Sequence, residues 1–373
     1  MLTSLRIQNF RSIRDASVKL GQVNLFIGPN NSGKSNFLKG IELLTRRVEQ
    51  HNETRYYRKI SKEEQETATF FRENLFRKIL NNSVEEQKIG FNVIDVDLKN
   101  RTVNIVVSLT ENALNNNESR FYENENETFA KFDIATSDGE IQDFNNFQKN
   151  VSQIIVHRIN SETFRFGLPN NTEIRLASDG SNIVSYLFYV GQNYKPLFQR
   201  LEADLAQYVT DLVSISTPAD PADPTRLKLR FFDQNNIGYW AEEVSEGVLY
   251  FLAILCIVHQ PDPPKLLLLE EPEKGIHPRR IKEVMDFIFE LARLRDIQII
   301  LTSHSPYVVD YFADIPECIS VFDRENGETV IHNAGDIISE TNNRLKAAGG
   351  KPIRYTDSLG EHWVSGFLGG VPL

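Results

Sequence analysis

An α/β fold with a mixed, largely parallel core sheet is predicted by three features of this chain. A glycine-rich turn, Gly28-Pro29-Asn30-Asn31-Ser32-Gly33-Lys34-Ser35, stands between an apolar strand and a segment with Phe37, Leu38, Ile41, Leu44 and Val48 at helical spacing. Leu266-Leu267-Leu268-Leu269 is a buried-strand run that ends in the paired acids Glu270-Glu271. Between it and a second apolar run, Ile297 to Leu301, lies an amphipathic stretch with Ile281, Val284, Met285, Ile288, Leu291 and Leu294 on one stripe. Strand, helix and strand in that order make a βαβ unit with parallel pairing.

The other elements follow in chain order. Leu2 to Phe10 alternates apolar and polar residues and reads as a half-buried strand, with a second strand from Ser17 to Ile27. Residues 49–85 are polar and charged with scattered aromatics and read as helical. Ile89 to Leu109 reads as a hairpin turning at Asn100-Arg101. From Glu111 to Asn150 the chain is Asn-rich and acidic, the composition of a surface insert. A strand at Gln153 to Val156, a helical stretch from Ile183 to Leu212 and a Pro/Asp-rich loop from Thr217 to Pro224 precede an apolar helix starting at Val248. No internal repeat and no sustained heptad pattern are found.

With 40% hydrophobic residues, a 373-residue chain can bury one large core or two lobes. The longest apolar run, Val248 to Val258, falls well short of the roughly 20 residues that span a bilayer, and no basic-then-apolar leader precedes the first strand. A soluble, cytoplasmic protein without membrane attachment is expected. The two cysteines, Cys256 and Cys318, offer neither metal-ligand spacing nor a disulfide framework, which argues against catalytic thiol chemistry. The formal net charge of −10 repels nucleic acid at long range. Arg55, Arg58 and Lys59, or Arg226, Lys228 and Arg230, would supply a local basic face, although such clusters more often are solvated surface.

Gly28 to Ser35 matches G-x-x-x-x-G-K-[ST] in its strand-to-helix setting. Backbone N–H groups from Gly28, Pro29's neighbours Asn30 and Asn31, Ser32 and Gly33, with the helix N-terminus, form a concavity of positive partial charge for phosphates. Lys34 brings an ammonium to the β- and γ-phosphates, and Ser35 a hydroxyl to Mg²⁺. A kinase, a GTPase and an ABC-type ATPase all use such a turn, so the downstream residues decide. Glu270, at the strand's carboxyl end, would hold Mg²⁺ through water, and Glu271 would act as general base on the attacking water. His304, in Thr302-Ser303-His304-Ser305-Pro306, arrives at the next strand end, where it would hydrogen-bond the γ-phosphate or that water. Val244-Ser245-Glu246-Gly247 opens the apolar helix. Ser245 there is either a phosphate ligand aided by the helix dipole or an ordinary N-cap.

With these elements in this order, the chain resembles the RecF/SMC-like branch of the ABC ATPases, and more closely the stand-alone ATPases related to the OLD family. The likeness rests on Ile7-Gln8-Asn9-Phe10-Arg11-Ser12-Ile13, Gly28 to Ser35, Ser245 to Gly247, Glu270 to Glu273 with Gly275-Ile276-His277-Pro278, and Thr302 to Pro306. It implies a P-loop NTPase with an ABC-type head, comprising a mixed and parallel sheet core, an antiparallel β subdomain and a helical signature lobe. ATP and Mg²⁺ are the implied cofactors, with Glu271 and His304 catalytic and Ser35 and Glu270 on the metal. Ser245, Glu246 and Gly247 join the nucleotide-binding set, Ser245 and Gly247 acting in trans on a second copy, with Gly275 to Pro278 along the dimer seam.

The chain departs from the family pattern in three places. Glu270 replaces the family's Walker B aspartate, Val244 the signature's usual leucine, with Glu246 as its third residue. The Q-loop glutamine has no clear counterpart; its place falls near His157-Arg158, where Arg158 would serve as a phosphate or nucleotide contact. The expected parts are an N-terminal ATPase lobe at 1–165 with a polar insert at about 49–150, a helical signature lobe at 166–260, a C-terminal ATPase lobe at 261–335 and a tail at 336–373. The absence of coiled-coil arms excludes a DNA-tethering arm protein. His362-Trp363-Val364-Ser365-Gly366, with no acid at its centre, excludes a TOPRIM nuclease within this chain. The resemblance implies a nucleotide-gated homodimer that controls a protein effector in anti-phage defence or DNA repair. The alternative is a RecF-like clamp whose ATP-closed dimer grips duplex DNA, and a membrane-transporter motor is a third, more distant reading.

Overall fold

The computed structural model describes residues 2–42, 90–99, 102–110, 130–136, 154–167, 175–209, 211–261, 263–274, 276–352, 355 and 358–371. In chain order, β1 (Leu2–Phe10), β2 (Ile13–Lys19) and β3 (Val23–Ile27) lead through the glycine-rich turn into α1 at residues 34–42. β4 (Gly90–Lys99), β5 (Thr102–Thr110) and β6 (Ala130–Thr136) come next, then β7 (Val156–His157) and β8 (Phe166–Gly167). After them lie α2 (Ile183–Asn193), α3 (Lys195–Tyr208), β9 (Leu212–Ser216), β10 (Leu227–Lys228), β11 (Arg230–Asp233), β12 (Gly238–Trp240) and α4 (Glu246–Val258). The C-terminal part holds β13 (Leu266–Glu270), α5 (Pro278–Arg295), β14 (Gln298–Thr302), α6 (Pro306–Tyr311), β15 (Ile319–Glu325), β16 (Glu328–Asn333), α7 (Ala334–Ala347) and α8 (Leu359–Val364).

The core sheet runs β16-β15-β3-β14-β13-β7, parallel throughout except for the antiparallel edge strand β16. Its central strands β3, β14 and β13 are buried on both faces, as parallel strands must be. Leu25, Leu267, Leu269, Ile299 and Leu301 face a helical layer that includes α2, α4 and α5. The alternate residues Phe26, Leu268, Ile300 and Phe322 face α1 and the first sheet, meeting Phe37, Leu38, Leu5 and Ile7. That second sheet is antiparallel, in the order β2-β1-β6-β5-β4. Its pairings place Leu5 opposite Ile134 and Ile134 opposite Val103. A smaller antiparallel sheet, β12-β11-β9, stands beside the helices. No helix among the described residues is long and apolar enough to cross a membrane.

The βαβ unit forms as expected, with Leu266 to Glu270 in parallel register with Gln298 to Thr302. The hairpin about residues 100 and 101 also forms, Lys99 pairing with Thr102. Five expectations need correction. The strand expected from Ser17 to Ile27 is two strands in different sheets. Buried Asn24 breaks it by bonding both the N–H (2.7 Å) and the carbonyl (3.0 Å) of Gly21. The stretch Ile183 to Leu212 is two helices and a strand start, because Pro196 lacks the N–H that would extend α2 and Leu212 pairs in the β9–β11 ladder.

The segment 111–150 is not wholly a surface insert, since β6 lies within it between β1 and β5. The alternation Lys131, Phe132, Asp133, Ile134 is the local reason. Leu294 leaves the α5 stripe and is 55% exposed, while Phe287 and Ala292 take the buried face as a 3.6-residue helix drifts from a fixed 3-4 spacing. The strand expected at Gln153 to Val156 is β7, two residues long and ending at His157. The helical reading of residues 49–85 lies outside the described residues, as do the parts of 111–150 other than β6.

Candidate functional site

Every candidate group but the signature segment is delivered by the carboxyl ends of four neighbouring strands. Parallel register sets Glu270 beside Thr302 and Leu269 beside His157, with β3 on the other side of β14. The loops that follow β3, β14, β13 and β7 therefore open on one edge of the sheet, where ligands bind in open α/β sheets. Four buried leucines hold Glu270 there. Full burial of each contributes about 1.5–3 kcal/mol, enough to offset the partly buried acid at the strand's end.

The turn after β3 keeps backbone geometry that side chains resist. Gly28 (φ 145°) and Gly33 (φ 110°) lie in the glycine-favoured region, and a Cβ at either would meet Phe322 O or Thr329 Oγ1 at 2.2 Å. Asn31 adopts φ 66°, a region asparagine tolerates. Behind the turn, α1 is pinned by Phe37, whose ring packs against Phe26 and Phe322 at 5.6 and 5.7 Å between centroids. Ser12 bonds Thr329 Oγ1 (2.9 Å) and accepts from Asn36 (2.9 Å), and Arg11 donates to Asn36 (3.1 Å). The opening segment Phe10-Arg11-Ser12 thus buttresses the turn from below.

Lys34 is buried, and its ammonium donates to Gly28 O (2.7 Å) and Pro29 O (2.9 Å). Burial lowers its pKa to about 8, against the opposing pull of Glu271 and Glu270. Ser32 Oγ is buried without a hydrogen-bond partner. An orphaned hydroxyl, a half-desolvated ammonium and two clash-limited glycines fit a polyanion in this turn. Ser35 Oγ donates to Glu270, so a hydroxyl and a carboxylate stand together as the hard oxygen donors that Mg²⁺ takes alongside phosphate and water. The glutamate at 270 therefore reaches the metal side of the site despite its extra methylene.

Glu271 sits at φ 50°, a left-handed backbone that costs a non-glycine residue about 1–3 kcal/mol. Its N–H holds that shape by donating to Thr302 O (3.1 Å) and Thr302 Oγ1 (3.3 Å). The carboxylate points at His304, whose Nε2 lies 3.6 Å from Oε1. Burial and then Lys34 lower the His304 pKa, and Glu271 partly restores it. Glu273, which the sequence offered only as part of a match, accepts from Ser303 Oγ and from the His304 N–H (3.2 Å), so it fixes the histidine loop to the acid loop. Burial raises its pKa. Arg158 pairs with Glu270 rather than standing free for phosphate. Its neighbour His157 is buried, and burial alone takes its pKa down to about 4.

The signature residues lie elsewhere. Ser245 and Glu246 are exposed at the N-terminus of α4 and Gly247 is buried. Ser245 makes no side-chain cap bond, so the ordinary N-cap reading does not hold here; its hydroxyl instead accepts from Arg280 (2.8 Å). Pro272 and Ile276 are buried and His277 caps α5 by accepting from the Arg279 N–H (3.3 Å), while Gly275 lies outside the described residues. Sequence reading missed Thr329, the Phe322 carbonyl and Gly370, which packs 3.4 Å from Gly28 Cα as measured from a Cβ built on it. None has a local signal, because each meets the turn through pairing across hundreds of residues.

A glycine-rich phosphate turn on a parallel sheet, an acid-ended neighbouring strand and an antiparallel sheet over one face define an α/β protein of the P-loop NTPase fold. The family model described as "AAA domain, putative AbiEii toxin, Type IV TA system" matches residues 23–310. The chain belongs to that family. It is also similar to the energy-coupling factor transporter ATP-binding protein EcfA2 of Bacillus licheniformis, at 35% identity over 72 residues. That match covers 19% of this chain and 24% of the relative, so the chain spans about a quarter of that protein's length. Among solved structures, the SMC head domain from Thermotoga maritima superposes with a TM-score of 0.41 at 12% identity, covering 89% of this chain and 98% of that one. The Smc head domain with an extended coiled coil bound to the C-terminal domain of ScpA, derived from Pyrococcus furiosus, gives 0.47 at 11% identity over 91% and 99%.

Proposed function

We propose that this chain binds ATP with Mg²⁺ and hydrolyses it as a nucleotide-gated homodimer that controls a protein effector. The observation that carries the reading is the division of the site. Lys34, Ser35, Glu270, Glu271 and His304 gather at one sheet edge, while Ser245 and Glu246 are exposed at a helix N-terminus. An exposed N-terminus with an uncommitted backbone favours an anion brought from outside. Two copies related by a two-fold axis would each offer that N-terminus to the other's P-loop.

In this reading Lys34 leaves its two carbonyls for the β- and γ-phosphates, and the N–H groups of residues 30–35 enclose them. Ser35 and Glu270 hold Mg²⁺, which supplies charge neutralisation on the phosphates. Glu271 takes the proton of the attacking water, and His304, fixed through Glu273, orients that water or the γ-phosphate. Ser245 and Gly247 of one copy close the site of the other. The description of the family as including a toxin of a TA system supports an action exercised through another component, with anti-phage defence or DNA repair as settings. Lys228 is paired with Glu242 (3.1 Å), and both Lys228 and Arg230 lie over Trp240, at 4.8 and 5.0 Å from its centroid. That internal engagement of the basic strand favours the effector reading over a duplex clamp. The absence of a membrane-crossing helix among the described residues is compatible with a cytoplasmic site of action.

A mixing experiment tests the shared site. Lys34→Ala and Ser245→Arg subunits are each inactive alone, yet a mixed pair has one site with an intact turn and an intact signature. Random pairing makes about half the dimers mixed, so about a quarter of the parental rate returns. Mixtures that stay as inactive as either parent would show an autonomous site.

Proton uptake gives a second check. Lys34 titrates near 8 in the free protein because burial disfavours its charge, and phosphates would restore the ordinary lysine range. Between about pH 8 and pH 10 nucleotide binding therefore takes up protons, and below about pH 7 the lysine contributes none. Calorimetry at pH 8.5 in buffers of different ionisation heat reads the count. Zero uptake, or release, contradicts the assignment.

A further inference from the structure

Each oxygen of the Glu270 carboxylate accepts a hydrogen bond. Ser35 Oγ donates to Oε1 and the Arg158 guanidinium donates to Oε2. Glu270 is 12% exposed in its side chain, and a lone carboxylate at that depth carries a desolvation cost that a paired cation relieves. Arg158 is built for a temporary pairing. Its backbone is fixed just past β7, where its N–H donates to Ser178 O (2.7 Å), but its side chain is half exposed and its head is free to swing outward. Lys39, one turn past Ser35 on α1, adds positive charge near the same carboxylate and is repelled by Arg158 and Arg11. A dication brought to Glu270 would be repelled by these cations and would compete with Arg158 for the charge of the carboxylate.

We infer that Arg158 is a stand-in cation for Glu270, neutralising the carboxylate until a divalent metal that comes with nucleotide displaces it. This rests on the nucleotide reading of the site proposed above. Arg158 is then a positioning residue. It keeps Glu270 and Ser35 aligned without metal and sets how readily metal enters.

The test titrates Mn²⁺, followed by its electron paramagnetic resonance signal, into excess protein saturated with the β,γ-imido analogue of ATP. Wild type, Arg158→Gln and Arg158→Lys are compared, all checked for an unchanged melting curve. Removing a partly exposed competitor of this kind should tighten Mn²⁺ binding about fivefold in Arg158→Gln, with Arg158→Lys close to wild type. Equal Mn²⁺ affinity in all three proteins, or weaker affinity in Arg158→Gln, overturns the inference while leaving the nucleotide site standing. Failure of the analogue to bind wild type at all removes the nucleotide reading, and this inference with it.

Discussion

Lys34→Ala weakens ATP binding by about 10²- to 10⁴-fold, the equivalent of two charge-assisted hydrogen bonds to phosphate at about 1.5–3 kcal/mol each. The free protein pays little for the change. Burial already disfavours the Lys34 charge, so what the alanine removes without ligand is a desolvated cation and its two bonds to Gly28 O and Pro29 O. Its unfolding free energy should shift by no more than about 1 kcal/mol. Equilibrium binding of a fluorescent ATP analogue, with melting curves beside it, separates the two effects. An alanine variant that binds within threefold of wild type would show that the turn is not the phosphate site.

Glu271→Gln lowers the hydrolysis rate by about 10²- to 10⁴-fold while ATP stays bound, which is what loss of a positioned general base costs. The substitution preserves shape. The unusual backbone of Glu271 is held by its own N–H bonds to Thr302, which glutamine keeps, and the amide oxygen can still face His304. What glutamine cannot do is accept the proton of water. With hydrolysis stalled, the ATP-closed pair should accumulate and appear as a dimer by light scattering only when ATP is present. Turnover at the unmutated rate would remove Glu271 as base, and stalled turnover without a dimer would separate catalysis from gating.

The chemistry of this site was legible because it is local. Gly28 to Ser35, Glu270-Glu271 and His304 each sit at the end of one strand, and strand ends can be found from apolar runs alone. Their convergence followed from the βαβ order, which fixes β13 and β14 as parallel neighbours. What escaped notice depends on distant pairing. Thr329 and Phe322 reach the glycine turn only because β15 lies against β3, and the edge hairpin of β15 and β16 has no motif. Glu273 looked like one more acid in a run until Ser303 and the His304 backbone were seen to bond it. Arg158 was expected at phosphate and instead pairs with Glu270, whose partly buried carboxylate gains a neutralising cation.

Secondary structure failed where one side chain outvoted a pattern. Asn24, inside β3, ties back the turn that separates β3 from β2 by bonding Gly21, although apolar residues continue on both sides. Pro196 was visible as a helix stop and still lay inside a stretch read as continuous. Leu294 shows the limit of counting by threes and fours, since the stripe had rotated away from it by the end of α5.

The strand that carries the phosphate turn acquires its hydrogen-bonding neighbours late. Val23 is registered on Ile299, and Leu25 on Ile319, while Gly370 closes against Gly28 from near the other end of the chain. During synthesis on the ribosome β3 emerges well before these partners, so the turn lacks its scaffold until strands more than 270 residues further on have been made. Pairings of such wide sequence separation are slow to find. The turn therefore takes its shape only after those distant strands have paired.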